Sequence, residues 1–422
     1  MSSTEMSSTA ASSTAALHDV LSTPNLRRVG VVTAFPPGRN SLNEFGFHFV
    51  NHLADNEAID AVVVFADDTD AGPPLQLDDT AVPVETVVAW RFNDPLNAIR
   101  IVRAARKAKV DALLINLQFA TFGDARIPGG LGLLTPALLR LARIPTTVIL
   151  HNLADNVDMQ DAGFANSKLV SKLMSVAGRL LTRAILLGDL VALTIPRYVE
   201  FLQTSYGAEN AMLAPHGSFE LMTEPSFGPP SDGGPRRILA FGKWGTYKTV
   251  DVLVEAFRLI VERGIDDLEL VIAGTDSPNS AGYLASVAEQ CSDLPNVVFT
   301  GYVEEEDVHP LFSASTVTAF PYTSTTGSSG VLHQAGSYGR SAVLPAIGDF
   351  VEVIEEEGFI GEYFEPGDAE SLAGALLRLL DDPALNAEQG QRNFLAATGI
   401  PMSEVVDWHL IHLDRLVGDR KA

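Results

Sequence analysis

The sequence has a single cysteine, Cys291, in 422 residues. That excludes an internal disulfide and any zinc site built on cysteine thiolates, and it fits a reducing cytoplasm. Positive charge is scarce as well. The 29 Lys and Arg stand against 53 Asp and Glu, a formal net charge of −24. With no general cationic footprint to displace counterions, the chain is not expected to bind nucleic acid. A local basic site for an anionic small molecule remains open to it. No apolar run reaches the ~18 residues of a membrane-spanning helix. Residues 1–25 have neither the basic start nor the apolar stretch of a signal peptide and, dominated by Ser, Thr and Ala, read as a disordered tail. What is present is a chain 46% hydrophobic and 19% charged, long enough for two domains with their own cores.

Short apolar segments alternate with helical patterns. Leu26–Ala34, Ile59–Ala66, Val84–Trp90, Asp111–Leu117, Thr146–Leu150, Leu190–Thr194 and Ala211–Ala214 read as strands. Between them Leu42–Ala54, with Ser41 as its candidate cap, Pro95–Lys109, Leu131–Arg143, Ser167–Leu187 and Pro196–Tyr206 read as helices. This is the pattern of a doubly wound parallel sheet. It stops at Thr223–Arg236 (TEPSFGPPSDGGPR), a Pro/Gly stretch without periodicity that reads as a linker. The alternation then restarts. Strands are expected at Ile238–Phe241, Leu268–Ala273, Val297–Thr300, Thr316–Phe320 and Ala342–Pro345. Helices are expected at Val250–Arg263, Ala281–Cys291, Glu306–Ser313, Val331–Tyr338 and Asp368–Leu380, and two more, Ala387–Thr398 and Ser403–Val417, close the chain. The expected division is tail 1–25, N-terminal domain 26–219, linker 220–236, C-terminal domain 237–400, and closing helix and tail 401–422. Two α/β domains on a hinge define a cleft, where ligands bind in such proteins.

Two stretches carry chemistry. Thr316–Pro345 runs from an apolar strand through a Ser/Thr/Gly loop into a helix, the arrangement that cradles phosphates with free loop amides and a helix N-terminus. Gly327, Ser328, Ser329 and Gly330 are the residues expected against a diphosphate, although alone the loop reads equally well as a surface turn with an ordinary N-cap. In Phe241–Lys248 (FGKWGTYK) a strand is expected to end at Gly242, with Lys243 and Lys248 in the turn that follows. In a chain poor in lysine, two cations on the ligand-binding edge of a parallel sheet favour a second anion site over solvated surface charge. The D-x-D in Asp67-Asp68-Thr69-Asp70 reads as an acidic turn, and no metal site is expected there or elsewhere.

With those residues in view, the C-terminal half resembles family 4 glycosyltransferases. Gly242–Phe257, Leu268–Pro278, Asn296–Phe312, Gly327–Pro345 and Gly361–Leu380 follow that family's order and spacing across most of residues 236–417. The resemblance implies a GT-B fold of two facing Rossmann-like domains, the last helix returning to the N-terminal one. It implies a metal-independent, retaining hexosyltransferase with no cofactor, using a UDP- or GDP-linked donor. It also implies a sugar, glycan or lipid-linked acceptor, in glycan, glycolipid or polysaccharide synthesis. Lys243 and Lys248 take the places of the family's diphosphate-binding basic pair, with lysine where the first is more often arginine. Thr147–His151 resembles the strand that ends in an active-site histidine. His151 then either meets the donor sugar or is a strand-end histidine satisfied by backbone. Phe35–Asn40 stands where the family has its glycine-rich first loop, with Gly38 its one glycine and Arg39 and Asn40 as candidates to share its work. His216 reads as structural.

The largest departure from the family lies at two positions. Where paired glutamates contact the donor sugar and ribose, it has Thr326 and Gln334. Gln334 retains an amide for ribose hydroxyls, but Thr326 supplies no carboxylate. A branch with a Gly-Ser-Ser-Gly loop accounts for that. The alternative is a catalytically impaired GT-B protein that binds a nucleotide sugar or glycan as a scaffold or regulator. Lys168, Lys172, Arg179 and Arg183 recur along one expected helix; this reads as a solvated face, with weak contact to an anionic membrane surface the other use. The expected location is cytoplasmic, including the inner face of a membrane.

Overall fold

The computed structural model describes residues 25–38, 42–153, 168–219, 225–230, 233–265, 267–277, 280–294, 296–324 and 329–421, with residues 168–175, 305 and 349 described for backbone only. Arg39, Asn40, Ser41, Thr326, Gly327 and Ser328 lie outside the described residues.

The chain forms two compact units. One holds the described residues up to Phe219 together with those from Met402 onward; the other holds those between, ending at Pro401. The first is built on strands β1 (Arg28–Val32), β2 (Ala61–Asp68), β3 (Val84–Arg91), β4 (Ala112–Leu117), β5 (Thr146–Leu150), β6 (Leu190–Leu193) and β7 (Ala211–Leu213). They pair in parallel in the order β3-β2-β1-β4-β5-β6-β7. The register sets Val31 beside Val64 on one side and Leu114 on the other. Every residue of β4 and β5 is buried, as expected where helices cover both faces of a parallel sheet.

The second unit repeats the plan. Its strands β8 (Arg236–Trp244), β9 (Leu268–Asp276), β10 (Val297–Gly301), β11 (Val317–Ala319), β12 (Ser341–Pro345) and β13 (Glu362–Phe364) lie in the order β10-β9-β8-β11-β12-β13, again all parallel. Helix Asp251–Glu262 buries Leu253, Ala256, Phe257 and Ile260, the 3.6-residue spacing of one face laid on the sheet. In both units the strand order reverses once, between β1 and β4 and between β8 and β11. Such switch points are where doubly wound sheets bind ligands, outside the carboxyl ends of the strands.

The last helix, Met402–Lys421, belongs to the first unit. Its Met402, Val405, Leu410, Leu413 and Val417 join the core formed by Leu26, Val29, Phe45 and Phe49. Asp414 Oδ1 accepts hydrogen bonds from the backbone amides of Asn25 at 2.5 Å and Leu26 at 2.9 Å, tying the strand entry to this helix.

Several elements differ from expectation. Leu131–Arg143 is two short helices, Arg126–Gly132 and Thr135–Leu141, because Pro136 starts a new helix more readily than it continues one. β8 runs two residues beyond Gly242, pairing Lys243 with Thr275 and Trp244 with Asp276, so Lys243 sits on the strand and not in the turn. Asp67 and Asp68 end β2 and do not form an acidic turn. Asp67 is buried and accepts the Phe35 amide at 3.0 Å, and Asp68 pairs with Arg91 at 3.0 Å. Helix Gly348–Glu356 and β13 had no strong signal in their acidic or three-residue segments.

In the Pro/Gly stretch β8 begins at Arg236, and Arg340 holds the Ser226 and Gly228 carbonyls. That guanidinium is buried with only carbonyls around it. Its Nε donates to Tyr338 at 2.9 Å, one terminal nitrogen donates to Ser315 at 2.9 Å and Gly228 at 3.3 Å, and the other donates to Ser226. Phe227 packs on Phe394 with ring centroids 5.8 Å apart. Burial lowers the Arg340 pKa to about 10, which still leaves it charged at neutral pH. Arg340→Met strands four buried carbonyl oxygens and should destabilise the protein by about 3 kcal/mol. Arg340→Lys should recover only part of that, since an ammonium lacks the planar fork. The midpoint of urea unfolding measures both.

Candidate functional site

At the β8/β11 switch point the backbone is drawn together by a few specific contacts. Gly242 and Gly274 are paired on β8 and β9, and a Cβ on Gly274 would fall 1.9 Å from the Gly242 carbonyl oxygen. Gly274 also has φ +108°, so two separate constraints demand glycine there. The turn after β8 closes with the Gly245 amide donating to the Lys248 carbonyl at 2.9 Å. It is then stitched to the exit of β11. Lys248 and Tyr322 form an antiparallel bridge, and the Thr323 amide and hydroxyl donate to the Tyr247 carbonyl at 2.9 Å and 3.1 Å. The turn that carries Lys248 and the residues Tyr322–Thr323 after β11 are thus one structural piece.

Within it Lys243 is exposed, while the neighbouring Trp244 is buried and donates its indole N–H to Ala273 at 2.9 Å. Lys248 is half-buried. Its Nζ lies 4.6 Å from the centre of the Tyr322 ring and 5.9 Å from that of Tyr247, a cation–π arrangement. Burial opposes its charged form, but Tyr322 and Tyr247 more than offset that, and the Lys248 pKa lies above the usual lysine value. The ammonium therefore stays charged at neutral pH.

Ser329 caps helix Gly330–Ser337, its Oγ accepting the Leu332 amide at 3.3 Å. An accepting hydroxyl still has its own proton to donate. The first-turn amides of Gly330 and Val331 have no acceptor within the helix. Gln334 sits one turn further in and is 9% exposed. His333 beside it is buried and pairs with Glu357 at 3.3 Å. Nothing in the sequence had singled out Tyr247 and Tyr322, although aromatics flanking Lys248 in FGKWGTYK and FPYT are a readable sign.

In the first unit His151 ends β5 next to the β1/β4 switch point. Its Nε2 lies 2.7 Å from Asn116 Oδ1 on β4, and its ring meets Phe45 edge-on at 4.6 Å. Removal from water, then the neighbouring His216 and His409, lowers its pKa to about 3. His216 is buried between Phe45 and Phe219. Gly38 is buried, with its amide donating to the Phe35 carbonyl at 3.1 Å and its carbonyl accepting from Asn43. Asn116 was missed, though a polar residue near the carboxyl end of an otherwise apolar strand (ALLINL) is a usable signal.

Of the basic helix, Lys168–Ile185, the side chains of Lys168 and Lys172 are outside the described ones, and Arg179 and Arg183 are exposed beside exposed Val176, Leu180 and Leu187. Among the described residues no helix is long and apolar enough to cross a membrane, and no group of three or more His, Cys, Asp or Glu is arranged to hold a metal.

Residues 235–382 match the family described as glycosyl transferases group 1. The matched stretch spans β8 to the helix after β13, and so includes Lys243, Lys248, Ser329 and Gln334. No curated protein matches the sequence. The fold is GT-B, shared with solved structures over nearly the full chain. A sucrose-phosphate synthase from Thermosynechococcus elongatus is 17% identical with a TM-score of 0.71, covering 93% of this chain and 100% of that one. HepE from Anabaena, solved in complex with UDP-glucose, is 15% identical with a TM-score of 0.64, over 91% and 98% of the two chains. A glycosyltransferase from Rickettsia africae is 15% identical with a TM-score of 0.61, over 93% and 99%.

The two most strongly depressed histidines, His151 and His409, give a pH dependence whose sign is fixed. His409 is 1% exposed, neither ring nitrogen has a hydrogen-bond partner among the described residues, and burial, followed by His412, lowers its pKa to about 3. His409 and His151 are then neutral in the folded state and protonate near pH 6.5 when unfolded. Their contribution is complete above about pH 6.5 and is lost as pH falls towards 3, at about 1 kcal/mol per pH unit for each. Urea unfolding between pH 7.5 and 5 should show this slope, and His409→Leu should remove roughly half of it.

Proposed function

We propose that the protein is a retaining glycosyltransferase that moves a hexose from a UDP- or GDP-linked donor to a hydroxyl acceptor in glycan, glycolipid or polysaccharide synthesis. One observation carries the reading. The stretch that matches glycosyl transferases group 1 contains a switch point where the turn carrying the charged Lys248 is stitched to Tyr322 and Thr323 at the exit of β11.

Glycosyl transfer breaks the bond between the anomeric carbon and the diphosphate oxygen, so negative charge accumulates on the departing diphosphate. Groups that neutralise this charge stabilise the transition state more than the ground state. Lys243 and Lys248, the first-turn amides of Gly330 and Val331, and the hydroxyl of Ser329 are the groups suited to it, with Gly327 and Ser328 completing the loop. Gln334 is assigned to the donor ribose. His151 and the Gly38 loop are assigned to the sugar and acceptor side. HepE was solved with UDP and with UDP-glucose, which makes UDP-glucose the first donor to test.

The test is release of UDP or GDP across a panel of donors, with sugar, glycan and lipid-linked acceptors. Turnover with at least one pair is expected, with the product's anomeric configuration that of the donor. Saturable donor binding with no turnover would instead establish a binding or regulatory protein on a glycosyltransferase fold. Lys248→Ala should weaken donor binding about tenfold or more, the value of a charge-assisted contact of 1.5–3 kcal/mol. Unchanged affinity in that variant would remove Lys248 from the diphosphate site.

A further inference from the structure

Asn116 has both amide hydrogens committed. Nδ2 donates to Thr33 Oγ1 at 3.0 Å and to the Leu42 carbonyl at 3.3 Å. The Leu42 carbonyl can only accept. The Thr33 hydroxyl gives its own proton to the Ala34 carbonyl at 3.0 Å, so towards Asn116 it too is an acceptor. These two partners fix which end of the amide is nitrogen, and Oδ1 is left facing His151 Nε2 at 2.7 Å. Oδ1 cannot donate. The proton between them therefore belongs to Nε2, and Nδ1 carries the lone pair.

The surroundings make the arrangement hard to reverse. Asn116 is 2% exposed and Thr33 is fully buried, so water does not replace their contacts. Helix Asn43–Ala54 closes over Thr33 so tightly that a Cβ on Gly46 would lie 2.1 Å from its hydroxyl oxygen. The edge-on ring of Phe45 limits rotation of the imidazole. The titratable groups that act on His151 are His216, on the segment after β7, and His409, on the C-terminal helix; neither is an acid that would hold a second proton on the ring.

We propose that Asn116 is a positioning residue that holds His151 as the neutral Nε2–H tautomer, so that His151 meets the transferred sugar as a hydrogen-bond acceptor through Nδ1 and not as an acid. This rests on the reading of His151 as a group on the sugar side of a glycosyltransferase. A hydroxyl of the sugar would then donate to Nδ1, and a donor lacking that hydroxyl would leave the lone pair unpaired.

The decisive measurement is the long-range proton–nitrogen spectrum of the protein with 15N-labelled histidine, the His151 ring signals being assigned by their loss in His151→Gln. The expected wild-type spectrum has a protonated Nε2 and an unprotonated Nδ1 at neutral pH. Asn116→Asp keeps an acceptor of the same shape but adds charge. It should raise the His151 titration midpoint by at least about one pH unit and shift the acid limb of kcat/KM by the same amount. Asn116→Leu should let the Nδ1–H tautomer appear. A wild-type Nδ1–H ring, or an Asn116→Asp midpoint equal to the wild-type one, overturns the proposal. The wild-type spectrum decides even where a variant does not fold. It also needs no turnover. A protein with the Nε2–H ring but no donor release would fail as a glycosyltransferase and not in its tautomer.

Discussion

Both sheets are parallel throughout, and that single constraint shapes the molecule. A parallel neighbour is reached only by a crossover that travels back over a sheet face, so helices cover both faces and the strands between them are apolar on both sides. Chemistry is then confined to the strand ends. At most positions along a doubly wound sheet, the loops leaving adjacent strands turn to the same face and pack together with their helices. Only where the order reverses, between β1 and β4 and between β8 and β11, do adjacent loops part and leave space. Asn116 and His151 gather at or beside the first of these points, and the turn bearing Lys248 with Tyr322 and Thr323 at the second.

The extent to which this was legible in the sequence follows from the same constraint. Buried parallel strands such as Ala61–Ala66 and Ala112–Leu117 announce themselves as unbroken apolar runs, so the alternation and hence the fold class could be read directly. Loops at their ends were legible where composition departs from the average, as in FGKWGTYK and STTGSSG. Arg340 and Asn116 were not. Each takes partners that are distant in sequence: three of the four carbonyls around Arg340 lie 25 to 114 positions away, and the acceptors of the Asn116 amide lie 74 and 83 positions away. The local sequence can at most flag such a residue, as ALLINL flags Asn116, and does not name what it fastens. For the same reason the Pro/Gly stretch reads as a free linker, because a buried guanidinium that needs Ser226 and Gly228 as acceptors lies over a hundred residues downstream.

Electrostatics separates the two sites. In a chain of net charge −24, a lysine beside a carboxylate would have its charge cancelled before any ligand arrived. Among the described residues Lys248 has no carboxylate partner. It is flanked by the faces of Tyr322 and Tyr247, which stabilise the cation without neutralising it. Arg340 follows the same logic in the interior, held by carbonyl dipoles. The second unit thus keeps positive charge available in a protein that is otherwise strongly negative.

The first unit does the opposite with His151. Burial and two neighbouring imidazoles disfavour the imidazolium, and no acidic side chain offsets them. A reaction that separates a diphosphate anion from a positively polarised sugar carbon needs cations on the leaving-group side. On the sugar side it needs groups that do not repel developing positive charge. A neutral acceptor meets that second need where an imidazolium would oppose it. Charged Lys248 in one unit and uncharged His151 in the other are thus opposite electrostatic choices, and each is enforced by neighbours that carry no formal charge of their own.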